Sequence, residues 1–298
     1  MGRLEKETKE GATFVGKPKK VSWERLWAFS GGPFSNTGWP RKNVHTDSEF
    51  AKSCGLPSVA ASATQFMGYV AELMIDLFGV EWLSHGTMDV KFINIVDAGD
   101  VLVTKAEVKA RESQGSATRF TMDISCENQK RVKVLVGYTT GILGKGTFSP
   151  IQQTILQKDV QNMPTLQGYE FALTPEFNQQ YLYAEEDFRP WYIEETEIGP
   201  PIGHPALLFN MSNGTRSPSF SMGAGEAAFH ARDETFFLNP ARVGKKLKVV
   251  FNWRGTHEKR GRPYRLTSVS VVDEDGREIL KRLLHSTIVS KQYQKQSP

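Results

Sequence analysis

Phe92-Ile-Asn-Ile-Val-Asp-Ala-Gly99 is answered further along the chain by Phe237-Leu-Asn-Pro-Ala-Arg-Val-Gly244, an offset of about 145 residues. The likeness extends over residues 88–142 and 233–288. With one residue of slippage, Gly115 sets against Gly261, Arg119-Phe-Thr121 against Arg265-Leu-Thr267, and Arg131 against Arg277. Each copy reads as strand, Gly turn, strand, basic Gly loop, strand, acidic turn, strand. Solenoid repeats run to about 20–50 residues, so a unit of this length is a domain. The pattern predicts two copies of one α+β unit, and a site between them would lie at a pseudo-dimer interface.

The 298 residues agree with two domains. Apolar residues make up 39% and charged residues 23%, enough to bury a core in a soluble protein. The net charge is +4, and its densest runs, Lys17-Pro-Lys-Lys20 and Lys259-Arg-Gly-Arg262, read as solvated loops. No basic face with interleaved aromatics appears, so a nucleic-acid partner is not expected. A modest positive charge suits an anionic ligand such as a nucleotide-bearing thioester. Cys54 and Cys126 are too few for a disulfide framework, and reduced thiols point to the cytoplasm. The N-terminal MGRLEKETKEG lacks the apolar stretch of a secretory signal, and Lys6 stands where myristoylation needs Ser or Thr. No apolar run is long enough to span a membrane. No metal-ligand spacing and no Walker loop is present, and Met222-Gly-Ala-Gly-Glu226 reads as a turn.

Along the first unit, residues 1–145, a short strand is expected near Ala12–Val15 and a short helix over Ser22–Phe29, followed by the loop SGGPFSNTGWPRKN. His45–Ser53 reads as a helix with Thr46 as N-cap and Glu49 completing a capping box. A longer helix over Ser58–Leu77 carries an apolar stripe from Phe66 to Leu77 and begins with the small residues Ala60-Ala-Ser-Ala-Thr64. Strands follow at Met88–Ile95, Val101–Lys109, Thr118–Cys126 and Arg131–Leu143. Residues 146–168 form a polar linker. In the second unit, residues 169–298, a helix is expected within Pro201–Ser212, then strands at Ala227–Phe237, Lys245–Arg254, Tyr264–Val272 and Glu278–Val289, then a frayed tail from Lys291. One long helix wrapped by a curved antiparallel sheet is the hot-dog arrangement. Two such units can pair edge to edge into a double hot-dog, hiding one edge strand of each and leaving a tunnel at the seam.

Asn43-Val-His45-Thr-Asp47, Phe50-Ala51, Gly55-Leu-Pro57, the small-residue helix start and GTMDVKFINIVDAGDVL over residues 86–102 together resemble the MaoC-like dehydratases, relatives of the R-specific enoyl-CoA hydratases or hydratase 2. The resemblance covers residues 25–145 well and residues 169–290 as a faded copy. It implies a double hot-dog fold and addition or elimination of water at an enoyl-CoA or 3-hydroxyacyl-CoA thioester. Coenzyme A would be part of the substrate, with no other cofactor, and pairing into a homodimer is common among similar proteins. In the family motif an Asp precedes the catalytic His by five residues; here His45 matches the His and Pro40 stands at the Asp position. The resemblance therefore implies His45 as the acid/base group, with Asp47 or Asn43 assisting. The family's oxyanion donor falls on Ala60-Ala61, which implies the N–H of Ala61 or Ser62 as the partner of the thioester oxygen.

The chemistry accounts for these parts. Hydration needs a group that deprotonates water near neutrality, which suits imidazole. It also needs a donor for the enolate oxygen, which a helix N-terminus supplies. Plainer roles stand beside each: Asp47 and Glu49 as first-turn acids, Asn43 as a turn former, Ser62 and Thr64 as packing residues. His204 lies near the second helix start. Tyr181, Tyr183 and Glu185-Glu-Asp187 occupy the place of the His45 motif, so the second unit is expected to be silent and to wall the tunnel. Two alternatives remain open at this point: a noncatalytic acyl-CoA-binding or partner subunit, and a hot-dog thioesterase.

Overall fold

The computed structural model describes residues 4–31, 42–146, 148, 165–221, 226–259 and 261–290. Pro40 and most of the loop around it, most of the 146–168 linker, Met222–Gly225 and the tail from Lys291 lie outside the described residues.

In the first unit, short strands β1 (Thr13–Val15) and β2 (Lys19–Lys20) precede α1 (Trp23–Ser30), which Ser22 caps by accepting from the Arg25 N–H. Helices α2 (Ser48–Ser53) and α3 (Ala63–Phe78) follow, then β3 (Thr87–Phe92), β4 (Val101–Gln114), β5 (Ala117–Glu127) and β6 (Lys133–Leu143). The second unit comprises β7 (Tyr169–Ala172), α4 (Pro175–Glu185), α5 (Pro205–Met211), β8 (Glu226–Phe237), β9 (Lys246–Lys259), β10 (Arg262–Asp273) and β11 (Glu278–Ser290). Asp47, not Thr46, is the N-cap of α2: its carboxylate accepts from the Phe50 N–H at 2.8 Å. A carboxylate satisfies the orphan N–H and also suits the positive end of the helix dipole.

Ten strands run in the order β1-β4-β5-β6-β3-β8-β11-β10-β9-β7, with β2 paired beside β4. The order is a palindrome about β3 and β8, as two copies joined edge to edge require. At the joint Val90 faces Asp233 and Lys91 faces Arg232. On the same pair of strands Arg232 makes a two-pronged contact with Asp89, Nε at 2.7 Å and Nη2 at 2.5 Å. The double hot-dog expected from the sequence is present.

Helix α3 is buried on almost every side, because the sheet covers one face and the second unit's helices cover the other. Gly68 permits the approach: a Cβ placed there would stand 2.7 Å from the Ala206 Cβ of α5. The second helix departs from the expected long one. It is seven residues against sixteen in α3, roughly 10 Å against 24 Å of axis, so much of the second sheet's inner face is left without a helix.

The structure also corrects the slippage read from the sequence. The two equivalent hairpins close on Gln114 opposite Ala117 and on Lys259 opposite Arg262. Both bulge at the equivalent place, skipping Lys109 in β4 and Arg254 in β9. Arg131 and Gly276 take the same left-handed turn, with φ of 59° and 80°. All these pairs keep the 145-residue offset seen at Phe92 and Phe237. Backbone pairing, not the identity of the letters, decides equivalence. The counterpart of Arg265 is therefore Phe120, not Arg119.

Candidate active site

A cavity of about 740 Å³ lies between the units. Its first-unit wall is the Asn43–His45 loop, one side of α2, the start of α3 and the segment after β3. Its second-unit wall is the inner face of β8, β11 and β10 together with the loop after α5.

His45 lies on this wall. Its Nδ1 is 2.7 Å from the carbonyl oxygen of Ala60. A carbonyl only accepts, so Nδ1 carries the proton and the lone pair is left on Nε2. Nε2 has no partner among the described residues. Burial lowers the His45 pKa to about 4, against the pull of the Ala60 hydrogen bond, and the Arg216 charge lowers it further. The ring keeps some accessible surface although it is enclosed by protein; as a cavity-lining residue it owes that surface to the cavity. Asn43 is buried and braces the loop. Its Nδ2 donates to Ser30 O at 2.9 Å, and its Oδ1 accepts from the His45 N–H at 2.9 Å.

The other expected site residues separate. Asp47 caps α2 and lies 3.4 Å from Lys42 Nζ; it does not line the cavity, and its carboxyl is held below the usual range first by the Phe50 N–H. The Ala61 N–H donates to Val96 O at 2.8 Å, so it is already engaged and is not open to a ligand. That corrects the expectation for Ala61. The cause is the bridge between the segment before α3 and the turn after β3, seen also at Ala60 and Asp97. Ser62, the N-cap of α3, and Ala63, its first residue, also line the cavity. Their N–H groups have no partner among the described residues, and Ser62 makes no side-chain cap; its hydroxyl meets Thr64 Oγ1 at 2.8 Å.

No family model and no curated protein sequence matches the chain. Solved structures do. A MaoC domain protein dehydratase from Chloroflexus aurantiacus J-10-fl superposes with a TM-score of 0.72 at 12% identity, covering 97% of each chain. A double hot-dog protein from Mycobacterium tuberculosis gives 0.62 at 12% identity, over 95% of this chain and 97% of that one. The peroxisomal multifunctional enzyme type 2 from Drosophila melanogaster gives 0.59 at 13%, over 92% of this chain and 48% of that one. The chain has the double hot-dog fold of the MaoC-like dehydratases.

Within that fold, two further cavity residues carry no motif in the sequence. His230 lies on β8, against Phe92 across the seam, with ring centroids 4.9 Å apart. Its Nε2 is 3.0 Å from Asp233 Oδ2, within ion-pair range but off the line of a hydrogen bond. Burial lowers its pKa, opposed by Asp233. Residues three apart on a regular strand face opposite ways. Here the register of β8 against β11 skips Ala231, and this bulge turns His230 and Asp233 to the same face. The i, i+3 spacing therefore hid the pair. Arg265 is the other, placed there by its equivalence with an inward-facing Phe.

His204 caps α5 and sits outside the cavity wall. Its Nδ1 accepts from the Ala206 N–H at 3.1 Å and its Nε2 is 3.3 Å from Asp187. Asp187, held down to about 2 against burial by His204 and Arg189, belongs with Glu72, Lys19 and Arg189 to a buried ionic cluster that ties α3 to the second unit. Among the described residues no group of His, Cys, Asp and Glu could hold a metal, and no helix is long and apolar enough to cross a membrane.

Proposed function

We propose that the chain hydrates or dehydrates an acyl thioester of the enoyl-CoA or 3-hydroxyacyl-CoA type in the cavity between the units, with His45 as the acid/base group. The observation that carries this reading is the His45–Ala60 bond. It fixes the tautomer that leaves Nε2 as a base, next to a helix start with open N–H groups. Water held by Nε2 adds to the β-carbon and its proton passes to Nε2. The C=C electrons move onto the thioester oxygen, which the Ser62 or Ala63 N–H meets. The imidazolium then gives its proton to the α-carbon, and the thioester reforms. Positioned general bases contribute about 10²–10⁴-fold and an oxyanion donor about 10²–10³-fold.

The second unit supports a single site. Its helix starts with Pro205 where α3 has Ala63, and proline has no N–H to offer. No histidine lies where His45 would repeat. The large cavity over the second sheet then receives the acyl chain, and coenzyme A is the only cofactor chemistry required.

One feature favours a noncatalytic acyl-thioester-binding role: no carboxylate lines the cavity among the described residues, so nothing stands in for the Asp of the motif. The assay separates the readings. Loss of enoyl-CoA absorbance with the wild type and its abolition in His45→Ala would support hydration. Undiminished turnover in the variant would remove His45 from the mechanism. Calorimetric binding of acyl-CoA without turnover would favour the binding role, and release of free thiol would favour a thioesterase.

A further inference from the structure

We propose that Arg265 anchors a carboxylate on the acyl group, so that the thioesters this cavity selects are those of dicarboxylic acids. The proposal rests on the acyl-thioester reading above and adds to it the chemistry of the far end of the substrate.

Arg265 is the one permanently charged side chain among the described residues of the cavity wall; the other ionisable groups there are His45, His230 and Cys54. Its guanidinium makes no hydrogen bond or ion pair among the described residues. Arg282, one strand over on β11, shows how this fold treats an arginine that it closes off. That guanidinium is fully buried, with Asp233 at 2.5 Å, Phe209 O at 2.7 Å and Ser212 Oγ at 2.5 Å. Arg265 is only partly buried, and on a wall that carries no carboxylate among the described residues its unpaired guanidinium is a place for a ligand's anion.

The repeat explains how it came to face open space. At the equivalent position in the first unit, Phe120 is fully buried and packs on Phe78 in the last turn of α3, with centroids 6.2 Å apart. Helix α5 ends at Met211, well short of a corresponding last turn. The second unit thus lacks the helix that would cover this position, and it carries a cation where the first unit has an aromatic ring. Arg265 is in register with Ser286, which is in register with His230. The three form one row across the inner face, placing the Arg265 backbone roughly 10 Å from that of His230.

A carboxylate fits this anchor better than the phosphates of coenzyme A. No lysine and no second arginine joins Arg265 among the described wall residues. A diphosphate calls for several cations, whereas one planar guanidinium matches one carboxylate through two parallel bonds.

The test compares enoyl-CoA thioesters of equal chain length ending in a methyl or a carboxylate, with wild type, Arg265→Met and Arg265→Lys. Wild type should prefer the carboxylate-ended series. Arg265→Met should lower kcat/KM for that series by about 10- to 100-fold and leave the methyl-ended series unchanged or improved. Arg265→Lys should fall between, because it keeps the charge and loses the fork. Equal losses in both series, or a wild-type preference for methyl ends, would overturn the proposal. The same comparison with pantetheine thioesters tests the other source of anions. A penalty that persists places the anion on the acyl chain; a penalty that disappears places it on the coenzyme and overturns the dicarboxylate assignment. Calorimetry with saturated carboxyacyl-CoA reads binding without turnover. Selective binding lost in Arg265→Met, with no hydration by wild type, would sink the hydratase reading and keep the anchor.

Discussion

His45 Nδ1 lies 2.7 Å from the carbonyl oxygen of Ala60, a hydrogen bond from loop to helix start that does two things at once. It selects the tautomer with Nε2 free, and it supplies a neutral partner where a carboxylate would have raised the basicity of the ring. The ring is thereby left with a pKa lowered to about 4 by burial. If His45 is the base, its active form is the neutral one, present above that value. The pH profile of kcat/KM should stay level from neutrality downward and fall only as the pH passes through about 4. A limb near the ordinary imidazole value would show that another group is titrating.

The same shift carries a sign for stability. The unfolded imidazole titrates near 6.5 and the folded one near 4, so between these values the unfolded chain binds more protons. Stability should decline as the pH falls through that window. His45→Gln should remove this part of the pH dependence, as read from urea midpoints across the range.

Ala63→Pro isolates a backbone donor. Proline is well tolerated at the first position of a helix, and Ser62 already holds the extended conformation that a following proline demands, at φ −66° and ψ 136°. The N–H disappears while the helix remains. If the Ala63 N–H holds the thioester oxygen, kcat should fall by about 10²–10³-fold with little change in Tm. Unchanged kcat would leave Ser62 as the donor.

Asp233→Asn should be among the most destabilising single changes in the chain. It strands the fully buried Arg282 guanidinium without a counterion, a change that typically costs about 3–5 kcal/mol. In the wild type the nearby Arg282 and His230 hold the Asp233 carboxyl well below its ordinary range despite burial. Its contribution is thus complete at neutral pH and is lost as the pH falls. Denaturant unfolding at neutral pH checks the magnitude.

Gly68→Ala should destabilise, although alanine is the better helix former by about 1 kcal/mol. The added methyl would stand 2.7 Å from Ala206 Cβ and closer still to Glu185 Oε2. Overpacking of this kind costs about 1–3 kcal/mol. A rise in Tm would mean that α3 and α5 can move apart freely.

The strands after Gly79 and after Met222 could be read from alternation and turn residues, because a strand's inward and outward faces are written in neighbouring positions. His45 could be read because its loop, the helix after it and the small-residue stretch keep a recognisable order. Ala61 could not be read correctly, since only the bridge to the turn at Val96 shows where its N–H goes. Asp47 and Thr46 were equally good caps by residue type, and the backbone chose between them. His230 was hidden because the skipped Ala231 breaks the period of two on which facing is inferred.

By itself the sequence determined the duplication, the antiparallel strands of each copy and the one loop that carries a histidine, since all of these follow from local periodicity repeated at a fixed distance. Tertiary structure alone decided that the repeat runs without slippage, that the second helix stops at Met211, and that Arg265 therefore faces a cavity where Phe120 faces a helix. The reason is that strand register and helix coverage are relations between segments far apart in the chain. They are set by backbone hydrogen bonding and packing, which residue identities along one segment do not encode.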